Sequence, residues 1–139
     1  MADLTVTAAS CKPAAGAVSH SGVAGVAITQ GQPVAIDSAT GKLIVAVATP
    51  SASVAQVVGI ATSESTGDGQ PIQYQSAGWL EGMGTTEGLI YLLSGTAGGI
   101  SAHTDVTTPV NPEFTSILGI GGPNSELIIG IQNSTQQVA

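Results

Sequence analysis

Glycine and proline interrupt this sequence so often that helices of ordinary length have almost no room to form. The chain of 139 residues contains 19 glycines and 7 prolines, spread along its whole length. In a helix interior, glycine costs about 1 kcal/mol and proline about 3 kcal/mol relative to alanine, so the chain must be built from shorter elements. The sequence therefore predicts an all-β fold with at most one or two short helical turns.

Short apolar runs lie between these breaks. Several of them follow one another at about 8 to 12 residues, which is typical of a small β-barrel or sandwich. The predicted strands are residues 4–8, 26–28, 33–36, 43–48, 54–61, 72–75, 89–93, 116–120 and 127–131.

Turn-forming residues predict two hairpins. Between the runs that end at residue 36 and begin at residue 43, the segment from Asp37 to Gly41 suits a tight turn in which Gly41 adopts a left-handed conformation. Residues 121–124, with the sequence Gly-Gly-Pro-Asn, predict a second hairpin. Gly59 lies inside a strand and is expected where another backbone or ring packs closely.

Four prolines also mark the ends of elements. Pro33 and Pro71 each follow a Gly-Gln pair, and because proline cannot donate a ladder hydrogen bond, each is expected to open a strand. Residues 49–50 and 111–113 combine a capping side chain with a following proline, so one helical turn is expected after each.

The charge of the chain excludes several classes of partner. Only 8% of the residues are charged. The chain has no arginine, two lysines and nine acidic residues, which gives a net charge of −7. Nucleic acids and anionic membranes both require a cationic surface, so neither is an expected partner. The mean hydropathy of +0.36, without a membrane-length apolar run, favours a surface that is partly buried against other protein chains.

The N-terminal residues 1–25 are predicted to be a flexible arm preceding a single β-rich domain at residues 26–139. The arm lacks the features of a signal peptide, so the protein is expected to be made and used in a cytoplasm without export. If extended, its start would present one apolar face that can add as a strand to an exposed sheet edge. In this segment Leu4, Val6 and Ala8 alternate with Asp3, Thr5 and Thr7.

No constellation of catalytic or metal-binding residues is apparent. Cys11 is the only cysteine, so no intrachain disulfide and no cysteine-rich zinc site are expected. His20 and His103 adjoin no nucleophile pattern and are interpreted as linker and surface residues, respectively. The sequence therefore predicts no enzyme activity, no metal and no cofactor.

Two pairs of acidic residues could in principle serve glycoside hydrolysis. Glu81 and Glu87 flank a glycine-rich loop, and Glu64 and Asp68 share another. A hydrolase of this kind needs aromatic platforms, and the chain has only four aromatic residues besides histidine. The four carboxylates are therefore interpreted as solvated turn residues.

Trp79 is the one tryptophan of the chain. A large aromatic side chain in a strand either fills a small core or anchors a contact between subunits. The core position is the favoured interpretation.

Several segments of the chain carry a resemblance to a known family. They are 31–37 (GQPVAID), 41–43 (GKL), 57–61 (VVGIA), 69–74 (GQPIQY), 91–94 (YLLS) with 96–100 (TAGGI), and 117–120 (ILGI). In these turn and strand motifs the chain resembles the phage head-decoration, or capsid cement, proteins of lambda-type heads.

The resemblance implies a structural virion protein. It would form a homotrimer on the outer surface of the expanded capsid, bind the major capsid protein and stabilise the shell. The resemblance assigns no individual side chain a role; the alternating pattern of residues 3–8 is what predicts that the arm attaches the protein to the shell. Two other classes stay open: a β-rich fibre or receptor-binding module, which would usually show repeats and more aromatic residues, and a small hydrolase with carboxylates around Glu81.

Overall fold

The computed structural model of the chain describes residues 11–37, 39–46, 57–93, 99–102 and 113–138. It is 57% strand and 3% helical, which confirms the predicted all-β class. One 3₁₀ turn, Pro123–Ser125, interrupts the strands of the described part. The strands are β1 Lys12–Pro13, β2 Val18–Val23, β3 Pro33–Ile36, β4 Leu43–Val45, β5 Val57–Ala61, β6 Pro71–Glu81, β7 Ile90–Leu93, β8 Ile100–Ala102, β9 Glu113–Gly121 and β10 Leu127–Val138.

These strands form one antiparallel sheet that curls into a half-barrel, in the order β4-β3-β5-β6-β10-β9-β7-β8. The long strand β6 organises it: its first half pairs with β5 and its second half with β10, while β1 and β2 run along its other edge. A bridge between Ala24 and Leu43 joins the end of β2 to β4, so this side of the sheet curls back on itself.

The curl creates two buried clusters. The larger lies between the β3–β5 region and β6–β10, and the smaller fills the curl itself. Strand β3 supplies Ala35 to the first and Val34 to the second, which explains why its sequence is continuously apolar. Each fully buried Val, Leu or Ile contributes roughly 1.5 to 3 kcal/mol. The smaller cluster contains Ala24, Ile28, Val34, Leu43, Ala61 and Ile72.

Both predicted hairpins are confirmed. At the first, Asp37 N donates to Lys42 O at 2.8 Å, and Gly41 has φ +73°, in the left-handed region. At the second, β9 and β10 are joined by the turn at residues 121–126, in which Asn124 takes φ +59°. Asparagine tolerates this conformation better than most residues, which is why it ends the predicted turn.

The predicted roles of proline and of Gly59 are also confirmed. Pro33 and Pro71 are the first residues of β3 and β6. A Cβ placed on Gly59 would lie 2.6 Å from both the Gln75 main-chain oxygen and the Tyr74 ring. Only glycine therefore allows β5 to approach β6 this closely.

Two local predictions are wrong. Residues 26–28 form no strand; Ile28 makes a lone bridge in which its N–H and carbonyl pair with Ser65. No helical turn follows residues 111–112, because Glu113 begins β9 and pairs with Val138. In both places long-range pairing overrides a local propensity. The turn predicted after residues 49–50 lies outside the described residues.

The sheet begins earlier in the chain than the predicted boundary at residue 25. Lys12–Pro13 and Val18–Val23 pair with β6, although every residue of β2 except the half-buried Gly22 is exposed. Main-chain hydrogen bonds hold this edge rather than an alternating apolar pattern, so the sequence carries little signal for it. The arm prediction now concerns residues 1–10, which lie outside the described residues.

Candidate binding surface

Four large apolar side chains form a row across the outer face of the sheet. Trp79 on β6 pairs with Ile128 on β10, Ile128 with Ile120 on β9, and Ile120 with Ile90 on β7. Directly paired residues project from the same face of a sheet, so these side chains are neighbours. Ile120 is 47% exposed and Ile90 37%, while Trp79 and Ile128 are half-buried. We call these four residues the apolar row.

The other face of the same strands is already filled. Leu80, Leu127 and Tyr91, each next in sequence to a member of the apolar row, are buried in the larger cluster. The outer face of an antiparallel sheet is ordinarily polar when water covers it. An apolar row on that face is therefore a surface suited to contact with another molecule.

A groove of about 380 Å³ runs beside the apolar row. The pairing of β9 with β10 shifts register between Ile129 and Gln132, which marks a bulge there. Gly130 lies within this bulge, and a Cβ added to it would meet no atom within 4 Å. The groove is open because Gly130 has no side chain. Residues that line it include Ile90, Ile117, Ile120, Ile128, Gly130 and Gln132.

Main-chain hydrogen bonds fix the position of Trp79. Its N–H donates to Ala15 O at 2.9 Å, and its carbonyl accepts from Ala14 N and from the buried Gln75 side chain, each at 2.9 Å. The favoured interpretation of Trp79 as a core residue is wrong: it belongs to neither buried cluster and lies at one end of the apolar row. Sequence alone could not decide this, because the residue opposite it is 49 positions away.

Charged side chains lie at one end of this face. Glu81 is two residues after Trp79, and Glu126 two residues before Ile128, so both project on the side of the apolar row. Lys12 is directly opposite Glu81 and projects on the same side. Glu81 and Lys12 are exposed and Glu126 is half-buried, and Glu87 is exposed in the loop that leads into β7. We call Glu81 and Glu126, with Lys12 beside them, the acidic end.

The loop that carries Glu87 is tied to the β9–β10 turn. Gly88 N donates to Gly121 O at 2.9 Å, and Thr86 N donates to the Tyr91 hydroxyl at 2.7 Å. The Thr85 hydroxyl donates to Glu126 O. The acidic end is thus built on hydrogen-bonded backbone and is in place before any partner arrives.

Two other pairs of polar side chains lie on different strands and loops. His20, exposed on β2, stacks on Tyr74 with ring centroids 5.3 Å apart, and its Nε2 is 2.8 Å from Ser76 Oγ. Lys42 Nζ and Asp68 Oδ1 form an ion pair and lie 2.7 Å apart. The His20–Ser76 pair therefore places an imidazole beside a serine hydroxyl, in an exposed position on the sheet.

Cys11 is fully buried, with its Sγ 3.6 Å from the sulfur of Met83. Burial raises the pKa of the Cys11 thiol to about 11. At neutral pH the side chain is therefore a protonated, apolar filler of the core rather than a nucleophile.

Other predicted site residues lie outside the described part of the chain. These are His103 and the capsid-binding arm residues Asp3, Leu4, Thr5, Val6, Thr7 and Ala8. Among the described residues, no three His, Cys, Asp or Glu side chains are grouped to hold a metal ion. Nor does a helix there have the length and hydropathy to cross a membrane.

Sequence reasoning missed the apolar row, although a signal for it exists. Residues 117–120 and 127–131 are apolar at both odd and even positions, a pattern that predicts burial on both faces. Only the register of pairing reveals which of these residues face outward and stay uncovered.

In comparisons with known proteins, no family model, no curated protein and no solved structure matches this chain. The likeness to head-decoration proteins thus rests on the sequence motifs alone.

Proposed function

We propose that this chain is a structural virion protein that binds the outer surface of an assembled phage capsid and stabilises it, acting as a homotrimer. The observation that carries the proposal is the exposed apolar row with its groove, on a sheet whose other face is already buried. The motifs at residues 31–37 and 69–74 add the family resemblance.

A protein of this kind needs affinity for a protein surface and no chemistry of its own. Fully burying an exposed isoleucine is worth roughly 1.5 to 3 kcal/mol. Ile90 and Ile120 are 37% and 47% exposed, so covering them supplies about half of that value or less for each. One such contact does not offset the translational and rotational freedom lost on binding. Three copies joined in a trimer convert the second and third contacts into intramolecular ones and raise avidity by roughly 10² or more.

The experiment compares phage heads prepared with and without the chain. Electron microscopy should show added density at three-fold-related positions on the outside of heads that carry the protein, and these heads should resist heating that ruptures bare heads. Sedimentation of the isolated protein should give the mass of a trimer. Heads that never bind the purified protein, or that bind it without gaining stability, would contradict the proposal.

A further inference from the structure

We propose that Gln75 locks a one-residue bulge at Ser76 of β6, and that this bulge holds Trp79 on the outer face of the sheet. Gln75 is completely buried, so it cannot touch a binding partner and acts on the apolar row only through the main chain. The inference goes beyond the proposed function, because it concerns how the sheet presents Trp79, whatever the apolar row contacts.

The register of β6 with β2 shows the extra residue. The consecutive residues Ser19 and Val18 lie opposite Gln75 and Ala77, so Ser76 is left without a counterpart on β2. This is the arrangement of a β-bulge, in which one strand carries one residue more than its partner. Consecutive residues of a regular strand project to opposite faces, so Gln75 and Ala77 also do so, although they are two positions apart.

The bulge exchanges the faces of the second half of β6. Gln75 is directly opposite Ile60 and projects with it towards the larger cluster. Leu80 is buried in the same cluster, although it lies five positions further along the chain. In a strand without a bulge, an odd separation places two residues on opposite faces. An unbulged β6 that kept Gln75 inside would therefore bury Trp79 and expose Leu80.

The Gln75 side chain ties the main chain across the bulge. Its Nε2 donates to Ala77 O at 3.0 Å and to Trp79 O at 2.9 Å, and both carbonyls lie beyond Ser76. Its Oε1 is buried without a hydrogen-bond partner among the described residues, and an unpaired buried acceptor is destabilising. An apolar side chain would avoid this penalty but could not donate to the two carbonyls. The bulge therefore explains why an amide occupies this position.

On the opposite face of β6, a neighbouring strand holds Ser76 itself. His20 Nε2 lies 2.8 Å from Ser76 Oγ, and the His20 ring stacks on Tyr74. This exposed imidazole and hydroxyl thereby keep the extra residue at the surface. The bulge is fixed from both faces of the strand, by Gln75 inside and by His20 outside.

Deletion of Ser76 tests whether Gln75 acts through the bulge. Without Ser76 the strand alternates regularly, with Gln75 and Leu80 inside and Trp79 outside, so the protein should fold and keep the parent's tryptophan emission. Gln75→Met, which has a similar volume but no donor, should lower the urea midpoint and shift the emission of Trp79, the single tryptophan. In the protein without Ser76, both effects of Gln75→Met should disappear, because no bulge then needs to be held.

Two substitutions are matched controls. Ser76→Ala keeps the extra residue and loses only its hydroxyl, so it should not rescue Gln75→Met. Gln73→Met changes an exposed glutamine two positions earlier on the same strand. It should leave the urea midpoint and the emission unchanged, with or without Ser76.

Urea unfolding, tryptophan emission and acrylamide quenching are recorded for all variants of the full chain. The inference is overturned if Gln75→Met matches the parent, or if it is equally harmful with and without Ser76, because Gln75 would then act by core packing alone. It is also overturned if the protein without Ser76 does not fold or buries Trp79, because Ser76 would then not be an extra residue. None of these measurements uses phage heads, so their outcome is separate from that of the proposed function.

Discussion

The two glycines at positions 41 and 59 should respond to substitution for different physical reasons. At Gly59 the obstacle is space: a Cβ would lie 2.6 Å from the Gln75 main-chain oxygen, where ordinary contacts begin at 3.4 Å. Strand β5 must therefore move by 3.4 − 2.6 = 0.8 Å away from β6. Overpacking of this kind costs about 1 to 3 kcal/mol, and we expect Gly59→Ala to lower the free energy of unfolding by that amount.

At Gly41 the obstacle is the backbone conformation. No atom lies within 4 Å of a Cβ placed there, but φ is +73°. This region costs an ordinary L-residue about 1 to 2 kcal/mol, and asparagine is among the residues that tolerate it best. We expect Gly41→Val to be destabilised by about 1 to 2 kcal/mol and Gly41→Asn to remain close to the parent.

Urea unfolding of Gly59→Ala, Gly59→Asn, Gly41→Val and Gly41→Asn separates the two causes. Asparagine should rescue position 41 and fail at position 59. If Gly59→Ala were as stable as the parent, the close approach of β5 to β6 would be wrong. If asparagine and valine were equally harmful at position 41, the left-handed turn would be wrong.

Three further predictions concern residues outside the apolar row. Burial raises the pKa of the Cys11 thiol from 9.0 to about 11, so the folded state favours the neutral thiol. This contribution to stability is present below pH 9 and is lost as the pH rises through 11. Cys11→Ala should remove this part of the pH dependence of urea unfolding, and a variant with the same pH dependence as the parent would contradict the prediction. The ion pair between Lys42 and Asp68 is solvent-exposed, so Asp68→Asn should cost less than about 1 kcal/mol and nothing in 1 M salt, whereas a larger loss would show a structural role. Deletion of residues 2–10, which stops before the buried Cys11, should leave the proposed trimer intact and abolish the proposed binding to heads; full decoration by the truncated protein would refute the arm prediction.

Local features were predictable because their causes are local. Gly41 takes a left-handed conformation because glycine has no Cβ to oppose it. Pro33 and Pro71 begin strands because proline has no N–H to donate to a neighbouring strand. The spacing of apolar runs predicted the all-β class for the same reason. The strand prediction at residues 26–28 was wrong because apolar side chains indicate burial without specifying a strand. Here Ile28 is buried through a single bridge to Ser65.

The candidate surface was not predictable because it is assembled from four distant strands. Trp79 and Ile128 become neighbours only through the register of β6 with β10. A shift of one residue would bury the apolar row and expose Leu80 and Leu127 instead. No periodicity in one segment carries this information.

The charge of the chain and its apolar row together imply that salt controls self-association. An exposed apolar row would promote contact between copies, and the net charge of −7, with the acidic end beside the row, opposes it. At about 1 M salt the screening length falls to about 3 Å, while the hydrophobic contribution persists. We expect the parent protein to grow beyond its low-salt mass as salt is raised, and Ile120→Ser to suppress this growth while Ile36→Ser does not. Light scattering across a salt series measures it. A mass that stays constant with salt, or equal growth in Ile120→Ser, would show that repulsion at this face is not what keeps the copies apart.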